Sequence, residues 1–374
     1  MGARGTLVQS GRDRGLVPGG RDLLLELLAA GGPAGGEGPA AAVLRRVWAP
    51  PLADGVEIDR LGTVLAFRAG RGTGPRPAVL LAAHLDTVGL QVTRLLPGGF
   101  LRAAPVGGLH ARALLGREVI VEGRRPVPAV AATLPPHLLP VRRGLPPFAA
   151  LALDTGCSDR DLGRTVRPGD FGRFRPEPLR LIGEGIAGAG LDNRAGVAAL
   201  HEALLGLAAL PAAADVWLAA NVQEEVGLRG IGAVARRIRP AAALVVDAGF
   251  AVQPGAEGDR AMHPGRGPAV AVGPGFDPAI AETVEREAAR LEVPLQREVR
   301  EDAAGTDVWA LQAAAGGIPA GLLSIPVRSM HGAAETCAYD DVAAAGSLLR
   351  AFAAAVTPAW LRDRALPRGA AERP

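Results

Sequence analysis

The chain contains 374 residues, of which 48% are apolar and 21% are charged, so it can bury a sizeable core and cannot be disordered as a whole. Its 41 basic residues, all of them arginines, nearly balance 38 acidic ones; they are scattered, and only 3% of residues are aromatic, which argues against a nucleic-acid partner. Every stretch of 18 residues contains a charge, a polar side chain or a proline, so no membrane association is predicted.

The first predicted elements are typical of an α/β protein. Residues 21–30 and Ala40–Trp48 have the apolar spacing of short amphipathic helices. Pro77–His84, with the sequence PAVLLAAH, is a short apolar run of the length expected for a buried parallel strand. Residues 1–19 are expected to form a disordered tail ahead of them.

The sequence pattern changes near residue 95 and stays different to about residue 180. Twelve prolines lie between Pro97 and Pro178, and short β-like runs such as Glu118–Glu122 and Leu151–Asp154 replace the helical period. We therefore predict a small all-β, barrel-like domain at 95–180, inserted into the α/β domain.

Cys157 lies within it and Cys337 far outside; two cysteines are too few for a disulfide framework, so we expect free thiols in a reducing, cytoplasmic compartment.

Strands and helices alternate again after residue 181. This alternation predicts a mostly parallel sheet with helices on both faces, formed by residues 20–94 and 181–357 together, and residues 358–374 are expected to be a second disordered tail. The predicted helices are Arg194–Leu210, Ile231–Ile238, Ala279–Leu291, Asp307–Ala315 and Asp341–Val356, and the predicted strands are Val216–Val222, Ala243–Asp247 and Ala320–Pro326.

Residues of the types that commonly bind metal ions follow several of these predicted strands. In a parallel sheet, ligand sites lie at the carboxyl ends of the strands. Any one of these residues alone is an ordinary surface or capping residue, but together they suit one or two divalent ions of the zinc or cobalt kind. The set comprises His84, Asp86, Asp192, Glu224, Glu225, Asp247 and His331.

Two ions in one site would require a bridging carboxylate and a separate carboxylate that transfers protons. A carboxylate can bridge the ions through its two oxygens, and water held between them is acidified towards neutral pH. A separate carboxylate must then take the proton and pass it to the leaving amine. Because adjacent side chains diverge at a strand end, one of Glu224 and Glu225 can bind metal while the other stays free. Asp86, two residues beyond His84, could hold the second imidazole nitrogen.

At this point the chain resembles the glutamyl aminopeptidase family of dinuclear metallo-aminopeptidases, whose members include the tetrahedral (TET) enzymes and some relatives named endoglucanases. The resemblance covers roughly residues 20–357. The motifs that carry it are GPAGGE (32–37), AHLDTVG (83–89), PPHL (135–138), LDNRAG (191–196), VQEEVGLRG (222–230), VVDAG (245–249), AGTD (304–307) and SMHGAAE (329–335).

The resemblance implies a zinc-exopeptidase-like fold, two divalent ions (zinc or cobalt, with manganese as a further option) and peptide substrates. It also implies homo-oligomers, from a dimer made by the inserted domain up to a dodecamer. Thr87, Ala189 and the residues after His331 depart from the usual family pattern, which bears on substrate preference. Carried over by motif, one ion would be held by His84 and Asp247 and the other by Glu225 and His331, with Asp192 bridging, Glu224 as general base and acid, and Asp86 orienting His84.

Spacing separates this family from a related one. The desuccinylase-type enzymes have a similar ligand set, but their accessory domain lies between the fourth and last ligands, whereas here the longest gap, 108 residues, separates His84 from Asp192. A metal-dependent deacylase or carboxypeptidase remains the main alternative. A glycosidase would need two carboxylates that flank the bond and are not committed to metal. A non-enzymatic assembly protein is disfavoured because the ligand set and Glu224 are complete.

Overall fold

A mixed eight-stranded sheet, a closed six-stranded barrel and a small three-stranded sheet make up the protein. The computed structural model describes residues 17–71, 74, 76–132, 147–258, 261–301 and 305–365. The strands are β1 (Gly55–Ile58), β2 (Val64–Arg68), β3 (Ala78–His84), β4 (Gly89–Leu96), β5 (Phe100–Val106), β6 (Glu118–Glu122), β7 (Pro126–Ala132), β8 (Ala152–Asp154), β9 (Phe171–Phe174), β10 (Leu179–Arg180), β11 (Gly185–Gly188), β12 (Asp215–Asn221), β13 (Ala242–Phe250), β14 (Ala269–Val272), β15 (Gln296–Val299), β16 (Ala320–Val327) and β17 (Glu335–Ala338). The helices are α1 (Gly20–Ala30), α2 (Gly38–Val47), α3 (Ala111–Leu114), α4 (Asp159–Thr165), α5 (Leu191–Ala209), α6 (Arg229–Ile238), α7 (Pro278–Leu291), α8 (Asp307–Gln312), α9 (Tyr339–Ala355) and α10 (Pro358–Ala365).

The large sheet has the order β1-β2-β12-β3-β13-β16-β14-β15. Its four central strands, β12, β3, β13 and β16, are mutually parallel, whereas β2 and β14 join them antiparallel. The register sets His84 opposite Asn221 and Asp247 opposite Ser324, so the carboxyl ends of the central strands form one edge. The predicted α/β class and mostly parallel core are confirmed; the short outer strands β1, β2, β14 and β15 were not foreseen.

Helices cover both faces of this sheet, as predicted. Successive residues of β3 alternate between two apolar cores, because side chains of a strand point to opposite faces. Leu81 and Ala83 belong to the larger core, which also contains residues of α1, α2, α5, α7 and α9. Leu80 and Ala82 belong to the smaller core, under α6 and α8. With apolar groups on both faces, β3 carries its polar residues only where it ends.

The inserted β structure is a closed barrel of β4-β5-β8-β7-β6-β9. Its strands alternate: Val119 and Val121 of β6 point into the barrel core, while the flanking glutamates are exposed or half-buried. Closure pairs every strand with two neighbours, which removes free strand edges. The barrel strands run from Gly89 to Phe174, whereas the inserted domain was expected at 95–180. The start was placed too late because the prolines begin only after β4, and the end was placed too late because β10 pairs with β11, in the three-stranded sheet that also contains β17.

The expected carboxyl-terminal tail is partly a helix. Residues 358–365 form α10, whose Trp360 donates a hydrogen bond from Nε1 to Thr283 Oγ1 at 2.9 Å and contacts Phe352 edge-on. Arg364 of α10 forms an ion pair with Asp277. Across the described ranges, no single helix is both long and apolar enough to cross a bilayer; α9 and α10 pass such a test only as a pair, and they are bent by 86°. Residues 1–16, 366–374 and the PPHL motif with His137 lie outside the described residues.

Candidate active site

The structure brings the predicted ligand residues together at the carboxyl edge of the central strands. His84 is the last residue of β3, and Asp247 lies on β13 beside it. Glu224 and Glu225 occupy the turn between β12 and α6. Asp192 is the second residue of α5, where the backbone departs from helical angles, and the peptide bond to Asn193 is cis. His331 lies in the loop between β16 and β17.

Asp192 stands between the two histidines. Its Oδ1 lies 3.2 Å from His84 Nε2, and its Oδ2 lies 3.3 Å from His331 Nε2. On one side, Asp247 Oδ1 is 3.4 Å and Glu224 Oε2 3.9 Å from His84 Nε2. On the other, Glu225 Oε1 is 3.3 Å from His331 Nε2. The site therefore divides into two groups of donor atoms, His84–Glu224–Asp247 and Asp192–Glu225–His331, with Asp192 facing both.

The donor atoms fit divalent metal ions. Ligand atoms bound at about 2.0–2.1 Å to a tetrahedral zinc lie roughly 3.3–3.4 Å apart, close to the spacings of both histidines from their carboxylates. Glu225 Oε1 is buried, and in the described part of the chain it has no hydrogen-bond partner of acceptable geometry despite its closeness to His331. A buried carboxylate oxygen without a donor is a group that a cation would satisfy.

Electrostatics within the site also favour positive charge. Contact with Asp192 and Glu225 raises the pKa of His331 to about 11. Burial alone would lower the pKa of His84, but the carboxylates around it, Glu224 foremost, raise it well above its usual value. Burial and the neighbouring Asp247 raise the pKa of Glu224 to about 9. In the metal-free protein, the protons on the two imidazoles therefore supply positive charge where metal ions would otherwise lie.

A buried carboxylate that had no predicted role joins two of the ligand segments. Glu335, at the start of β17 and 1% exposed, accepts the backbone N–H of Asp192 with Oε2 at 2.9 Å and that of His331 with Oε1 at 2.8 Å. His331 has a φ of 60°, a left-handed conformation uncommon for a residue with a side chain. Glu335 thus holds the bridging aspartate and a terminal histidine in one arrangement. Burial raises its pKa to about 8.

The turn that carries Glu224 and Glu225 is held by two more buried carboxylates. Asp86 accepts the N–H groups of Glu224 and Glu225, each at 3.1 Å, with its two oxygens. Glu37 accepts the N–H of Gln223 at 3.2 Å. Gln223 has a φ of 58°, and these two carboxylates accept three successive N–H groups of the turn. The carboxylates fix the direction in which both glutamates leave β12.

This arrangement changes the role expected for Asp86. His84 Nδ1 lies 3.0 Å from the backbone oxygen of Asp86, whereas the carboxylate Oδ1 is 3.7 Å away. The carbonyl of Asp86, not its side chain, orients the imidazole, because the side chain is already engaged by the turn. Sequence spacing placed Asp86 near His84 but could not tell which of its two acceptors faces the imidazole.

The motifs contained two further residues whose importance only burial reveals. Arg194 is 1% exposed and donates to the backbone oxygen of Leu27 at 2.5 Å; burial lowers its pKa to about 10, so it stays protonated. It interacts electrostatically with Asp86, Glu335 and Glu37, and provides a buried positive charge among them. Asp307, the first residue of α8, is buried near Glu224, and burial raises its pKa to about 7.

A cavity of about 430 Å³ opens onto both donor groups. It is also lined by Phe250, Glu298, Arg300 and Met330, which surround the space beside the donor atoms. A second cavity of about 700 Å³ lies on the far side of His331, between the barrel residues near His110 and the loop that carries Met330. Of the remaining histidines, His201 is buried and contacts the Pro18 carbonyl at 2.8 Å, away from the donor groups.

The parallel core of the sheet presents two groups of histidine and carboxylate donor atoms at its strand ends, an arrangement typical of metal-dependent hydrolases. The chain belongs to the M42 glutamyl aminopeptidase family, whose model matches residues 62–348 and therefore includes every predicted ligand. Membership makes the protein a metal-dependent aminopeptidase, a hydrolase of peptide bonds, and confirms the resemblance deduced from the motifs.

Similar proteins agree with this assignment. A lysyl aminopeptidase from Pyrococcus furiosus is 32% identical over 299 residues, which are 78% of this chain and 84% of the relative. The structure of an aminopeptidase from Desulfurococcus kamchatkensis is similar with a TM-score of 0.86 at 30% identity, covering 93% of this chain and 98% of that one. The TET1 peptidase from Pyrococcus horikoshii, described as able to assemble into a tetrahedron or a large octahedral shell, has a TM-score of 0.79 at 29% identity over 90% of this chain and 100% of its own.

Proposed function

We propose that the protein is a dinuclear metallo-aminopeptidase that removes N-terminal residues from peptides, with Glu224 as general base and acid. The observation that carries the proposal is the position of Asp192, whose two carboxylate oxygens face two different histidines. A carboxylate placed in this way suits a ligand shared by two ions. His84 and Asp247 would complete one ion's ligands, and Glu225 and His331 those of the other.

The donor set also indicates which ions fit. Imidazole together with carboxylate suits zinc or cobalt, and manganese is compatible with the carboxylate-rich side. When bound, such ions act as Lewis acids that polarise the scissile carbonyl and lower the pKa of water. The protein's part is to hold neutral imidazoles and charged carboxylates at fixed positions, which Glu335, Asp86 and the backbone carbonyl of Asp86 do through the contacts described above.

Glu224 is the residue best placed to move protons. Its carboxylate lies 3.9 Å from His84 Nε2, farther than the carboxylates of Asp192 and Asp247, and its side chain borders the 430 Å³ cavity. Glu224 would take a proton from the attacking water and pass it to the nitrogen of the leaving peptide. The pKa of about 9 applies without metal; positive charge close to the carboxylate lowers it towards the range of a general base.

Exchanging each glutamate of the turn separately tests these roles. Glu224→Gln keeps the shape of the side chain but cannot accept the proton, so kcat on an aminoacyl-chromophore substrate should fall by at least ~10² while metal content stays unchanged. Glu225→Gln should instead lower metal content. Glu287→Gln, a change of a mostly buried carboxylate on α7 outside the cavity, is the matched control. Loss of metal in Glu224→Gln would show that the two roles are exchanged.

Peptides with blocked ends test the reaction class. An aminopeptidase requires a free amino terminus, so N-acetylated peptides should resist cleavage and C-amidated ones should not. The comparisons do not favour the deacylase or carboxypeptidase alternative, which predicts the opposite pattern. Zinc, cobalt and manganese, each added to metal-stripped protein, would then identify the preferred ion.

We also infer that the protein forms homo-oligomers, from a dimer up to a dodecamer, through its barrel. The support is the named assembly of the TET1 peptidase from Pyrococcus horikoshii and the presence in this chain of a complete barrel attached at one side of the sheet. Light scattering at micromolar concentration tests it, and a monomer would contradict it. A cytoplasmic location is inferred from the free thiols of Cys157 and Cys337 and can be checked by cell fractionation.

A further inference from the structure

The loop that follows β5 leaves the barrel and touches the candidate metal centre. It joins β5 to α3 and contains Gly107 and Gly108. A Cβ atom added at Gly108 would lie 2.7 Å from Nδ1 and 2.8 Å from Cε1 of His331, well inside van der Waals contact. One added at Gly107, whose φ is 70°, would lie 3.1 Å from Glu225 Oε2. The loop therefore packs its bare backbone against both terminal ligands of one ion.

The backbone of this loop also makes a polar contact with the site. The carbonyl oxygen of Gly108 lies 3.3 Å from His331 Nδ1. If Nε2, which faces Asp192 and Glu225, is to donate its lone pair to a metal, a neutral imidazole must carry its proton on Nδ1. That proton then points at the Gly108 carbonyl, which selects both the tautomer and the orientation of the ring.

The two histidines of the site are supported in the same manner but by different parts of the protein. His84 Nδ1 faces the backbone oxygen of Asp86, which belongs to the α/β domain. His331 Nδ1 faces a backbone oxygen of Gly108, in the loop that the inserted domain extends from β5. The side chain of His331 is 35% exposed, against 2% for His84, so fewer neighbours restrain it and the Gly108 contact has more influence on its position.

We propose that the inserted domain is part of the metal centre, because its Gly107–Gly108 loop positions His331 and Glu225. A side chain at 108 would occupy the space of the His331 ring, and one at 107 would crowd Glu225 and strain a backbone with a φ of 70°. This inference rests on the proposed dinuclear function. It gives the insertion a role inside each subunit, separate from any part in assembly. Gly107 and Gly108 are positioning residues, since they act through Glu225 and His331.

The variant Gly108→Ala tests the proposal directly. The nearest described atoms to the added methyl group belong to the His331 ring, so the ring must turn away while the surrounding backbone stays in place. Loss of a contact that orients a metal-binding histidine weakens metal affinity by roughly 10–100-fold. Competition with a chelator, and the visible spectrum of the cobalt-loaded protein, should show one of two ions weakened by that factor and the other unchanged.

The matched control is Gly163→Ala in α4 of the same barrel, where no described atom lies within 4 Å of the new Cβ. It should bind both ions as the wild type does. In a His331→Ala background, Gly108→Ala should have no further effect, because the group that it displaces has been removed. If Gly108→Ala does not fold, Gly107→Ala is judged by the same criterion through Glu225.

Two results would overturn the inference, and they are distinguishable. If the wild type binds two ions and His331→Ala loses one, but Gly108→Ala binds both with wild-type affinity, the loop has no positioning role and the dinuclear function stands. If the wild type binds fewer than two ions, or His331→Ala loses none, the dinuclear proposal itself fails and the loop inference fails with it.

Discussion

Glu335 offers a stringent test of how the site is held together. Replacing it with Gln retains the size of the side chain but changes one of its two acceptors into a donor. Asp192 N–H and His331 N–H each donate to a different oxygen of Glu335, at 2.9 and 2.8 Å. In Glu335→Gln, one of these N–H groups must face an NH₂ group in a fully buried position.

The expected magnitude follows from that mismatch. A buried donor left without an acceptor costs about 1–3 kcal/mol, so the free energy of unfolding should fall by that amount. This decrease in the free energy of unfolding should be larger with metal bound than without it. Because burial raises the pKa of Glu335 to about 8, much of the metal-free protein carries the protonated carboxyl at pH 7, which already resembles an amide. Bound cations favour the carboxylate, whose two acceptors Gln cannot replace.

Urea unfolding at pH 7, with metal removed and with metal in excess, measures both values. Metal affinity should also fall, by roughly 10–100-fold, since both residues that Glu335 holds are proposed ligands. Glu287→Gln is the control, because that carboxylate is also largely buried, at 9% exposure, but forms an ion pair with Arg290 of α7 and contacts no predicted ligand. The reasoning would be refuted if the free energy of unfolding fell no more in Glu335→Gln than in the control. It would also be refuted if the decrease were equal with and without metal.

Three further results are expected. Because the pKa of His331 is raised to about 11 and that of His84 also lies well above its usual value, metal binding at pH 7 should release the protons of both imidazoles. Glu224 and Glu335, with pKa values of about 9 and about 8, should add to this release, so at least two protons per chain are expected, and fewer as the pH rises past these values. Calorimetry in buffers of different ionisation enthalpy measures the number, and heats independent of buffer would contradict it. Burial raises the pKa of Cys337 to about 12, so an aromatic disulfide reagent should modify only the half-buried Cys157 in the native protein and both thiols after denaturation; two rapid reactions in the native state would be inconsistent with the structure. Trp360→Ala removes the bond to Thr283 and should lower the free energy of unfolding by about 1–3 kcal/mol, whereas no change would mean that residues 358–365 do not pack on the core.

The amino-acid sequence by itself determined the class of fold and indicated the candidate members of the donor set, which the structure brings together. Apolar runs such as PAVLLAAH and ALVV are buried on both faces, so only residues at their ends are free to be polar, and those ends lie on one edge of a parallel sheet. His84, Asp247 and the pair Glu224–Glu225 could be identified for this reason. The outer strands were missed because four or five residues are too few to show a distinctive period.

The tertiary structure alone decided how these residues are held. Glu335 and Asp192 are 143 positions apart, and Asp86 and Glu224 are 138 apart, yet each pair is joined by a hydrogen bond to a backbone N–H. The contact between Gly108 and His331 spans 223 positions. Every residue except proline has the same backbone N–H group, so the sequence does not show which carboxylate accepts a hydrogen bond from one and which is exposed to water. Only the packing of sheet, turn and barrel brings donor and acceptor within 3 Å or so of each other, and a buried polar group then requires that partner.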